Sequence, residues 1–477
     1  MTALQQLAQV GIQPKRLVSD SRRVQAGDVF LAYRGEQADG RDHIGQAVAN
    51  GASAVLWDDN GFAWNQGWQL PHVAVEHLRE QVGEIASEFH GHPSRRLWMI
   101  GITGTNGKTS CSHWLAQALT RIGRKTALVG TLGNGFPGTL SEAINTTPDP
   151  ILLHGMLADY LTNGAAAVAM EVSSHGLSQG RVNGVHFDVA VFTNLTRDHL
   201  DYHGDMAAYA AAKQQLFDWP GLGCAVLNAD DDFGADLARE LTQKNIKVLT
   251  YGLCAGDVRG SDLVLDEKGL VVQLEAPQGA AALRLPLFGR FNAYNLLAVL
   301  ATLLASGIEL DDAVQALREL RPVAGRMQLL GGGKQPTVVV DYAHTPDALE
   351  KVLASLREQT RGRLICVFGC GGNRDKGKRP LMGGAASRLA DAVVVTSDNP
   401  RHEDARKIIA DIVAGMGGNY HVEEDRAAAI EEAIQDARAG DVVLVAGKGH
   451  ETYQQIGDDK LPFSDAEVAQ RALGGQA

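Results

Sequence analysis

The stretch that decides the fold reads Trp98-Met99-Ile100-Gly101-Ile102-Thr103-Gly104-Thr105-Asn106-Gly107-Lys108-Thr109-Ser110. The glycine-rich part follows an apolar run, Leu97-Trp98-Met99-Ile100. After it, apolar residues recur at helical spacing, at Leu115, Ala118, Leu119 and Ile122. A strand, a glycine loop, Lys-Thr and a helix in this order are typical of a phosphate cradle, because backbone N–H groups and the positive end of the helix dipole face an anion. The stretch therefore predicts a P-loop at the start of an α/β domain.

Two side chains of this loop are expected to contact phosphate and Mg²⁺. Lys108 would reach the terminal phosphates, and the Thr109 hydroxyl would bind Mg²⁺. The full spacing G-x-x-x-x-G-K-[ST] is not met, because Ile102 occupies the first glycine position. We expect Gly104 and Asn106 to supply the backbone conformations with positive φ. The alternative is an ordinary strand-to-helix turn, and Gly-Lys-Thr at this junction argues against it.

Composition and charge set the broad class. The chain has 477 residues, 45% hydrophobic and 21% charged, which predicts about three globular domains. Its net charge of −12 argues against a nucleic-acid partner, which would require a basic face. No signal peptide and no apolar run long enough for a bilayer are evident, and the five cysteines are scattered. We therefore expect a cytoplasmic protein with free thiols and no membrane partner.

Apolar strands that alternate with helical segments predict an α/β fold with parallel sheets buried on both faces. Three domains are expected: a small N-terminal α/β domain over 1–90, a central P-loop parallel-sheet domain over 91–323, and a C-terminal doubly wound, Rossmann-like domain over 324–477. Ligand-binding groups belong at the carboxyl ends of such strands. The loops after the C-terminal strands carry many of the polar candidates.

Two groups of side chains can support chemistry. Glu171 follows an apolar strand and suits Mg²⁺ opposite the P-loop, whereas a lone histidine such as His199 is more often a hydrogen-bonding group than a ligand. A cationic patch is expected on the C-terminal loops, from Arg374, Lys376, Lys378, Arg379 and Arg401. It suits capture of carboxylates, and a solvated basic surface is the alternative. No covalent nucleophile is indicated, so catalysis would rest on positioning and electrostatics.

Ten short motifs, spread over the whole chain, together resemble those of the Mur ligase family, the ATP-dependent amide-forming enzymes of peptidoglycan precursor synthesis. They are Asp20-Ser21-Arg22, Gly35–Gly40, Thr103–Ser110, Asn145–Pro148, Met170–His175, Asn194–Asp201, Asp341–Pro346, Gly369–Pro380, Asp398–Arg401 and Gly447–Glu451. The resemblance implies a monomeric ligase that joins meso-diaminopimelate to UDP-N-acetylmuramoyl-L-alanyl-D-glutamate through an acyl phosphate. It also implies ATP and two Mg²⁺ ions.

The same resemblance implies the residues of each subsite. The UDP end of the substrate would contact Ser19, Ser21, Glu36, Gln37 and Ala38. The muramoyl-dipeptide arm would contact Asn145, Thr146, Thr147, Ser173, Gln179 and Arg181. ATP would contact Gly104, Thr105, Asn106, Gly107, Lys108, Thr109, Ser110, Asn292, Asn295, Arg326 and Asp341. The amino acid would contact Arg374, Asp398, Asn399, Pro400, Arg401, Gly447 and Glu451, with Arg401 on the carboxylate that diaminopimelate has and lysine lacks.

The metal ligands are implied in the same way. Thr109 and Glu171 would bind one Mg²⁺, and His199 would bind the second together with Lys213 carbamylated by CO₂. From its own position on a helix, Lys213 is expected to be exposed, and only the resemblance implies the carbamate. Carbamylation requires a neutral amine, which desolvation would favour. Lys108, Lys213, His199 and Glu171 are the expected catalytic residues.

Other functions remain open at this point. The same fold would serve a ligase that adds L-lysine or a folylpolyglutamate synthase, and Arg401 and the first-domain motifs oppose both only through the resemblance. A P-loop ATPase or kinase without ligation is a second class. A nucleotide-binding protein without catalysis is a third, and the Lys108-Thr109 pair with Glu171 opposes it.

Overall fold

The computed structural model describes residues 1–36, 38–266 and 269–474. The chain divides into two compact units. The first unit comprises Met1–Thr250 with Ala301–Ile308, and the second begins with Tyr251–Leu300 and resumes at Glu309. Across the described residues, no helix is both long enough and apolar enough to cross a membrane.

The N-terminal part of the first unit is a four-stranded parallel sheet with helices. Its elements are α1 (Ala3–Gln9), β1 (Leu17–Val18), β2 (Val29–Ala32), α2 (Ile44–Ala49), β3 (Ala54–Asp58), β4 (His72–Val75) and α3 (Leu78–Phe89). The strands follow the order β1-β2-β3-β4, and every neighbouring pair is parallel. β2 and β3 are buried along their whole length, as expected for strands covered on both faces.

A larger sheet fills the rest of the first unit. Its elements are β5 (Trp98–Thr103), α4 (Lys108–Arg121), β6 (Thr126–Gly130), β7 (Gly133–Phe136), β8 (Thr139–Ser141), α5 (Pro150–Thr162), β9 (Ala167–Glu171), α6 (Ser174–Ser178), β10 (Val189–Phe192), α7 (Leu200–His203), α8 (Met206–Gln214), β11 (Cys224–Asn228) and α9 (Asp232–Gln243). Among these strands the order is β11-β10-β5-β9-β6-β7-β8, and only the β6-β7-β8 pairings are antiparallel. The P-loop leaves β5 at the centre of this sheet, so its neighbours β9 and β10 bring their own carboxyl-end loops beside it.

The second unit opens with antiparallel strands that the sequence analysis does not anticipate. After β12 (Val248–Gly252) come β13 (Val258–Asp266), β14 (Gly269–Ala276) and β15 (Gly279–Leu285), then α10 (Arg290–Ala305) and α11 (Leu310–Leu317). β13, β14 and β15 form an antiparallel meander. The meander interrupts the strand-helix alternation that the predicted central domain would have kept throughout.

The C-terminal part of the second unit is the doubly wound sheet that the sequence predicts. Its elements are β16 (Gln328–Gly331), β17 (Thr337–Asp341), α12 (Pro346–Gln359), β18 (Leu364–Phe368), α13 (Lys378–Leu389), β19 (Ala392–Val395), α14 (Ala405–Val413), β20 (Tyr420–Val422), α15 (Arg426–Asp436), β21 (Val442–Ala446), β22 (Tyr453–Ile456), β23 (Asp459–Pro462) and α16 (Asp465–Gly474). The order β16-β17-β21-β18-β19-β20 is parallel except at β16. Separate apolar cores lie on its two faces, which confirms the predicted α/β class.

Candidate active site

The P-loop adopts a tight turn between β5 and α4. Positive φ occurs at Gly104 (143°) and at Gly107 (88°), so the second such position is Gly107 and the expectation for Asn106 is wrong. A Cβ atom at Gly104 would overlap the Thr193 hydroxyl, which explains why this position requires glycine. Gly107 is the N-cap of α4, which directs the start of that helix towards the loop.

The loop after β10 holds the P-loop in this shape. The backbone N–H of Thr105 donates to the Asn194 carbonyl at 2.8 Å, and the Asn106 N–H donates to Asn194 Oδ1 at 3.0 Å. Thr193 Oγ1 donates to the Asn106 carbonyl at 2.6 Å. The Asn194 motif is therefore part of the phosphate loop's support, a role that its distance in sequence did not reveal.

Two lysines converge on one carbonyl oxygen of the P-loop. Lys108 Nζ lies 2.7 Å from the Gly104 oxygen and 2.9 Å from that of Thr105, while Lys213 Nζ lies 2.9 Å from the Gly104 oxygen. Lys213 is 1% exposed, so the expectation of an exposed helix lysine is wrong. The alanines of α8 let this helix pack closely, which turns Lys213 and Tyr209 inward. Burial, then the charge of Lys108, lowers the pKa of Lys213 well below that of an ordinary lysine.

Glu171 ends β9 as a buried carboxylate, 1% exposed, facing the P-loop. Thr109 Oγ1 donates to its Oε2 at 3.0 Å, and the Thr131 N–H donates to its Oε1 at 2.9 Å. These hydroxyl and carboxylate oxygens are the donors that Mg²⁺ prefers, so the residues present fit the expected ion. Sequence reasoning missed Thr131, although it directly follows the end of β6, where ligand-binding groups are expected.

His199 stands in a group of histidine and tyrosine rings on the loop after β10 and the helices α6, α7 and α8. It is exposed, has a positive φ of 53°, and its Nε2 lies 3.4 Å from Asp198 Oδ2. Its ring centroid is 4.8 Å from that of His175 and 6.3 Å from that of Tyr209. Lys213 Nζ lies 4.3 Å from the same Tyr209 ring, so His199 and Lys213 border a common side chain.

A chain of polar contacts runs from Glu171 to the N-terminal sheet. Thr147 Oγ1 donates to the Glu171 carbonyl at 2.9 Å, and Arg181 Nη1 donates to the Thr147 carbonyl at 2.9 Å. Arg181 Nε then donates to Gln179 Oε1 at 2.8 Å, and Gln179 Nε2 donates to Glu36 Oε2 at 3.0 Å. Several residues expected at the UDP end and at the peptide arm therefore form one line across the first unit.

Other residues expected near the substrate are placed as follows. The Ser173 N–H donates to Thr147 Oγ1 at 3.0 Å, and the Thr146 hydroxyl lies 3.0 Å from that of Thr131. Asn145 is exposed in the turn before Thr146. In the N-terminal part, the structure pairs Ser19 with Tyr33, Ser21 with Gln46, and the Ala38 carbonyl with the Gly35 N–H, whereas Gln37 lies outside the described residues.

The remaining residues expected at the nucleotide lie in the second unit as two pairs. Asn295 Nδ2 donates to Asn292 Oδ1 at 3.1 Å, and both side chains are buried on α10. Asp341 accepts from the backbone N–H groups of Met327 and Ala343, at 2.8 and 2.9 Å. Burial raises the pKa of Asp341, against the lowering effect of the Arg326 charge.

Residues expected to bind the amino acid meet where the loops after β19 and β21 approach each other. Asn399 Nδ2 donates to Glu451 Oε2 at 2.8 Å, and the Asn399 N–H donates to Asp398 Oδ1 at 2.6 Å. Gly447 has a φ of 119°, and a Cβ there would lie 2.8 Å from Asp398 Oδ2. Glu451 already accepts from the ammonium group of Lys448 at 2.8 Å, a partner that the sequence did not indicate.

The two arginines proposed for carboxylate capture donate to backbone carbonyls. Arg401 Nη1 lies 2.8 Å from the Gly372 oxygen, and Arg374 Nη1 lies 3.2 Å from the Asn373 oxygen. Arg401 has a φ of 51°, and its N–H donates to the Gln455 carbonyl at 3.0 Å, which fixes the backbone after Pro400. Carbonyl oxygens leave both guanidinium charges available to an anion.

The expected cationic patch requires a correction at Arg379. This side chain is 1% exposed and forms ion pairs with Glu403 and Asp411, because its position on α13 turns it towards α14. Lys376 approaches the same Glu403 from solvent, and Lys378 donates to the His344 carbonyl at 2.8 Å. Arg379 is thus a buried structural cation, and the sequence pattern could not distinguish it from its exposed neighbours.

Comparison with known proteins places this geometry in a family. Residues 15–90 match the model described as Mur ligase family, catalytic domain; residues 102–303 match the Mur ligase middle domain; and residues 325–449 match the Mur ligase, glutamate ligase domain. The chain belongs to the Mur ligase family, as its motifs indicate.

Two relatives of similar sequence share one name. The chain is 58% identical to the UDP-N-acetylmuramoyl-L-alanyl-D-glutamate–2,6-diaminopimelate ligase of Chromobacterium violaceum, over 98% of this chain and 96% of that protein. It is 52% identical to the ligase of the same name from Pseudomonas aeruginosa, over 96% and 95%. Each comparison covers nearly the whole chain.

Solved structures agree with this placement. A structure of a UDP-N-acetylmuramoyl-L-alanyl-D-glutamate–2,6-diaminopimelate ligase superposes with a TM-score of 0.74 at 38% identity, covering 97% of this chain and 95% of that one. The MurF ligase of Thermotoga maritima, solved in complex with ADP, superposes with a TM-score of 0.65 at 20% identity over the full length of both chains. The second likeness shows a shared fold.

Proposed function

We propose that this chain is an ATP-dependent ligase that adds meso-diaminopimelate to UDP-N-acetylmuramoyl-L-alanyl-D-glutamate. It would act as a monomer at the cytoplasmic stage of peptidoglycan precursor synthesis, with domains over 1–90, 91–323 and 324–477 for the UDP-substrate, ATP and amino acid. The observation that carries the proposal is the P-loop group, in which Thr109 meets buried Glu171 at 3.0 Å while Lys108 and Lys213 share the Gly104 oxygen. The shared name of relatives above 50% identity supports the substrates.

The reaction would proceed in two steps, formation of an acyl phosphate and then of the amide. A carboxylate oxygen of the terminal D-glutamyl residue attacks the γ-phosphorus of ATP, and the bond to ADP breaks. The amine of diaminopimelate then attacks the acyl carbon, forms the amide, loses a proton and expels phosphate. Little covalent chemistry falls to the protein in such phosphoryl transfer, so catalysis depends on alignment and on neutralising charge.

The residues of the P-loop group would supply that alignment. Lys108 donates to the carbonyl oxygens of Gly104 and Thr105, and phosphate oxygens could replace these two acceptors when ATP binds. Thr109 and Glu171 would hold one Mg²⁺, which when bound neutralises phosphate charge. The buried Glu171 carboxylate stays fixed by the Thr131 N–H, so the ion-binding oxygens are preorganised.

Lys213 would act after carbamylation. Its amine is buried and burial lowers its pKa, which would favour the neutral form that reacts with CO₂. The product would be an anion beside the positive charge of Lys108, which favours it electrostatically. That carbamate and His199 would hold the second Mg²⁺, since both border Tyr209.

The substrate arms would occupy the polar chain of the first unit and the acceptor loops of the second. Thr147, Gln179 and Arg181 would contact the muramoyl-dipeptide arm. Arg401 would bind the distal carboxylate of diaminopimelate, and Glu451 would face an ammonium group. A bidentate guanidinium–carboxylate contact suits this discrimination, because L-lysine has no second carboxylate.

The test is phosphate release from ATP and Mg²⁺ with UDP-N-acetylmuramoyl-L-alanyl-D-glutamate present, compared for meso-diaminopimelate, L-lysine and no acceptor. Release with diaminopimelate alone is the expected result. Equal release with L-lysine would retain a ligase and remove the role given to Arg401. Release without any acceptor would contradict the ligase and favour an ATPase.

A further inference from the structure

Lys448 is a lysine with no exposed surface in the loop that follows β21. It lies between Gly447 and Glu451 of the expected amino-acid site, yet neither the sequence pattern nor the proposed mechanism gives it a role. A lysine is rarely buried completely unless its ammonium group has fixed partners. Its contacts therefore indicate why the chain places a charge here.

Those contacts form a closed ring of three side chains. Lys448 Nζ donates to Asn399 Oδ1 at 3.0 Å and to Glu451 Oε2 at 2.8 Å, and Asn399 Nδ2 donates to the same Oε2 at 2.8 Å. The Gln455 N–H also donates to Asn399 Oδ1, at 2.8 Å. Two donors on Oδ1 determine which end of the amide is oxygen, so Nδ2 must point at Glu451.

The ring gives the Glu451 carboxylate a fixed direction. One oxygen, Oε2, takes both internal hydrogen bonds, while the side chain keeps 18% exposure. In the part of the chain that the structure describes, no hydrogen bond is found to Oε1. That second oxygen is therefore the one presented to an incoming group, and an ammonium group is the natural complement.

We propose that Lys448 is the positioning residue of the acceptor site: its buried ammonium group fixes Asn399 and Glu451 so that Glu451 Oε1 receives an ammonium group of the amino-acid substrate. The inference rests on the proposed function for the identity of that substrate. Lys448 does not contact the substrate in this account, because its ammonium group is enclosed by its two partners. It acts through Glu451.

The test compares Lys448→Met with the matched control Lys460→Met. Lys460 is exposed and lies 4.3 Å from the ring of Tyr453, whose other lysine neighbour is Lys448 at 5.6 Å. We expect K448M to raise the KM for diaminopimelate about tenfold or more, as loss of a charged hydrogen bond would, with little change in the KM for ATP. K460M should match the parent. Equal KM values for diaminopimelate in K448M and the parent would overturn the proposal.

A double-mutant cycle separates positioning from a general loss of structure. If Lys448 acts through Glu451, the double variant K448M/E451Q should raise the KM no more than about twofold beyond the larger single effect. If the two effects multiply, Lys448 acts independently and the proposal is wrong. A crystal structure of K448M provides a second readout: the proposal predicts a turned Asn399 amide or a displaced Glu451, and an unchanged pair contradicts it.

The outcomes also separate this inference from the proposed function. If the parent protein releases no phosphate with diaminopimelate, the proposed substrate is wrong. The K448M crystal structure then still decides whether Lys448 fixes Glu451, because it needs no substrate. If the parent is active and K448M has the same KM and the same Glu451 geometry, only the inference about Lys448 fails.

Discussion

The P-loop group and the acceptor loops hold their cations in different ways. In the P-loop group, the ammonium groups of Lys108 and Lys213 donate to backbone carbonyls. In the acceptor loops (369–374, 398–401 and 447–451) and the helices behind them, the buried cations meet carboxylates, in the pairs Arg379–Glu403, Arg426–Asp465 and Lys448–Glu451. A cation on a carbonyl oxygen, such as Lys108, keeps its charge for an anionic ligand, whereas a cation paired with a carboxylate, such as Arg379, holds the surrounding structure together.

Arg401 and Arg374 are the informative exceptions in the second region. They donate to carbonyl oxygens, as the P-loop lysines do, although the same region holds the ion pairs Arg379–Glu403 and Lys448–Glu451. In these two regions, the cations expected to bind ligands donate to carbonyl oxygens, and the structural cations pair with carboxylates. This difference predicts that variants of Lys108 and Arg401 lose activity at constant stability, and that a variant of Arg379 loses stability.

The largest effect is expected for Lys108→Met. Removing a charge preorganised for phosphate should lower kcat/KM by about 10²- to 10³-fold, the usual loss for one such group. Thermal unfolding should change little, because the hydrogen bonds of Lys108 to the Gly104 and Thr105 carbonyls are only part-buried. Phosphate release measures the first quantity and calorimetry the second. The control is Lys125→Met, which also removes a lysine bound to a carbonyl; full activity in K108M would contradict the comparison.

A smaller effect is expected for Arg401→Met. The KM for diaminopimelate should rise about 10- to 100-fold, as for loss of charge-assisted hydrogen bonds, while the KM for ATP stays within about twofold. The control is Arg406→Met, which removes an exposed arginine that pairs with Glu424. Steady-state kinetics in each substrate measures both values. Equal increases in both KM values would indicate a structural role for Arg401 instead.

A pH dependence of stability is expected at His154. This buried side chain of the first unit also contacts a backbone carbonyl. Its Nε2 lies 2.9 Å from the Asn183 oxygen, and burial lowers its pKa to about 4. Below pH 6.5 the unfolded chain binds a proton that the folded protein excludes, so stability falls with pH down to about 4. By pH 5.5 this contribution is about 1 kcal/mol.

His154→Gln should remove that part of the pH dependence. Urea unfolding at pH 7.5 and 5.5 gives the difference in free energy of unfolding, which should be about 1 kcal/mol smaller in the variant than in the parent. His43→Gln, at an exposed position, is the control and should leave the difference unchanged. An unchanged pH dependence in the His154 variant would show that the ring is not the acid-sensitive group.

The smallest effect is expected for Lys376→Met. Lys376 is exposed and lies 3.4 Å from Glu403 Oε2, whereas Arg379 binds the same carboxylate from a buried position. An exposed ion pair contributes little, so the free energy of unfolding should change by less than about 0.5 kcal/mol. Arg379→Met should cost several times more, because it removes the buried partner. Similar losses of unfolding free energy in the two variants would refute the distinction between the buried ion pair and the exposed one.

Much of the fold was predictable because its signals are local. The apolar strand before the P-loop and the helical spacing after Lys108 lie within a few residues of each other. The antiparallel meander of β13, β14 and β15 was not predicted, since its strands alternate weakly and lie inside a segment expected to continue the parallel pattern. Tertiary pairing, not local pattern, decides that region.

The candidate site was predictable to the extent that motifs identify residue types. Thr109 and Glu171 meet as the strand-end rule indicates. Burial was not predictable: Lys213, Arg379 and Lys448 resemble surface residues in sequence, and only packing reveals that they are enclosed. Gly104 lies far along the chain from Lys213, and Glu403 lies far from Arg379, so no spacing rule could connect these pairs.

The central claim is that ATP activates the glutamyl carboxylate as an acyl phosphate before the amine attacks. The direct measurement uses UDP-N-acetylmuramoyl-L-alanyl-D-glutamate with ¹⁸O in the glutamyl carboxylates, together with ATP, Mg²⁺ and meso-diaminopimelate, and mass analysis of the released phosphate. The account predicts that each phosphate carries one ¹⁸O atom, because that oxygen leaves the acyl carbon when the amide forms. Amide formation with unlabelled phosphate would contradict it.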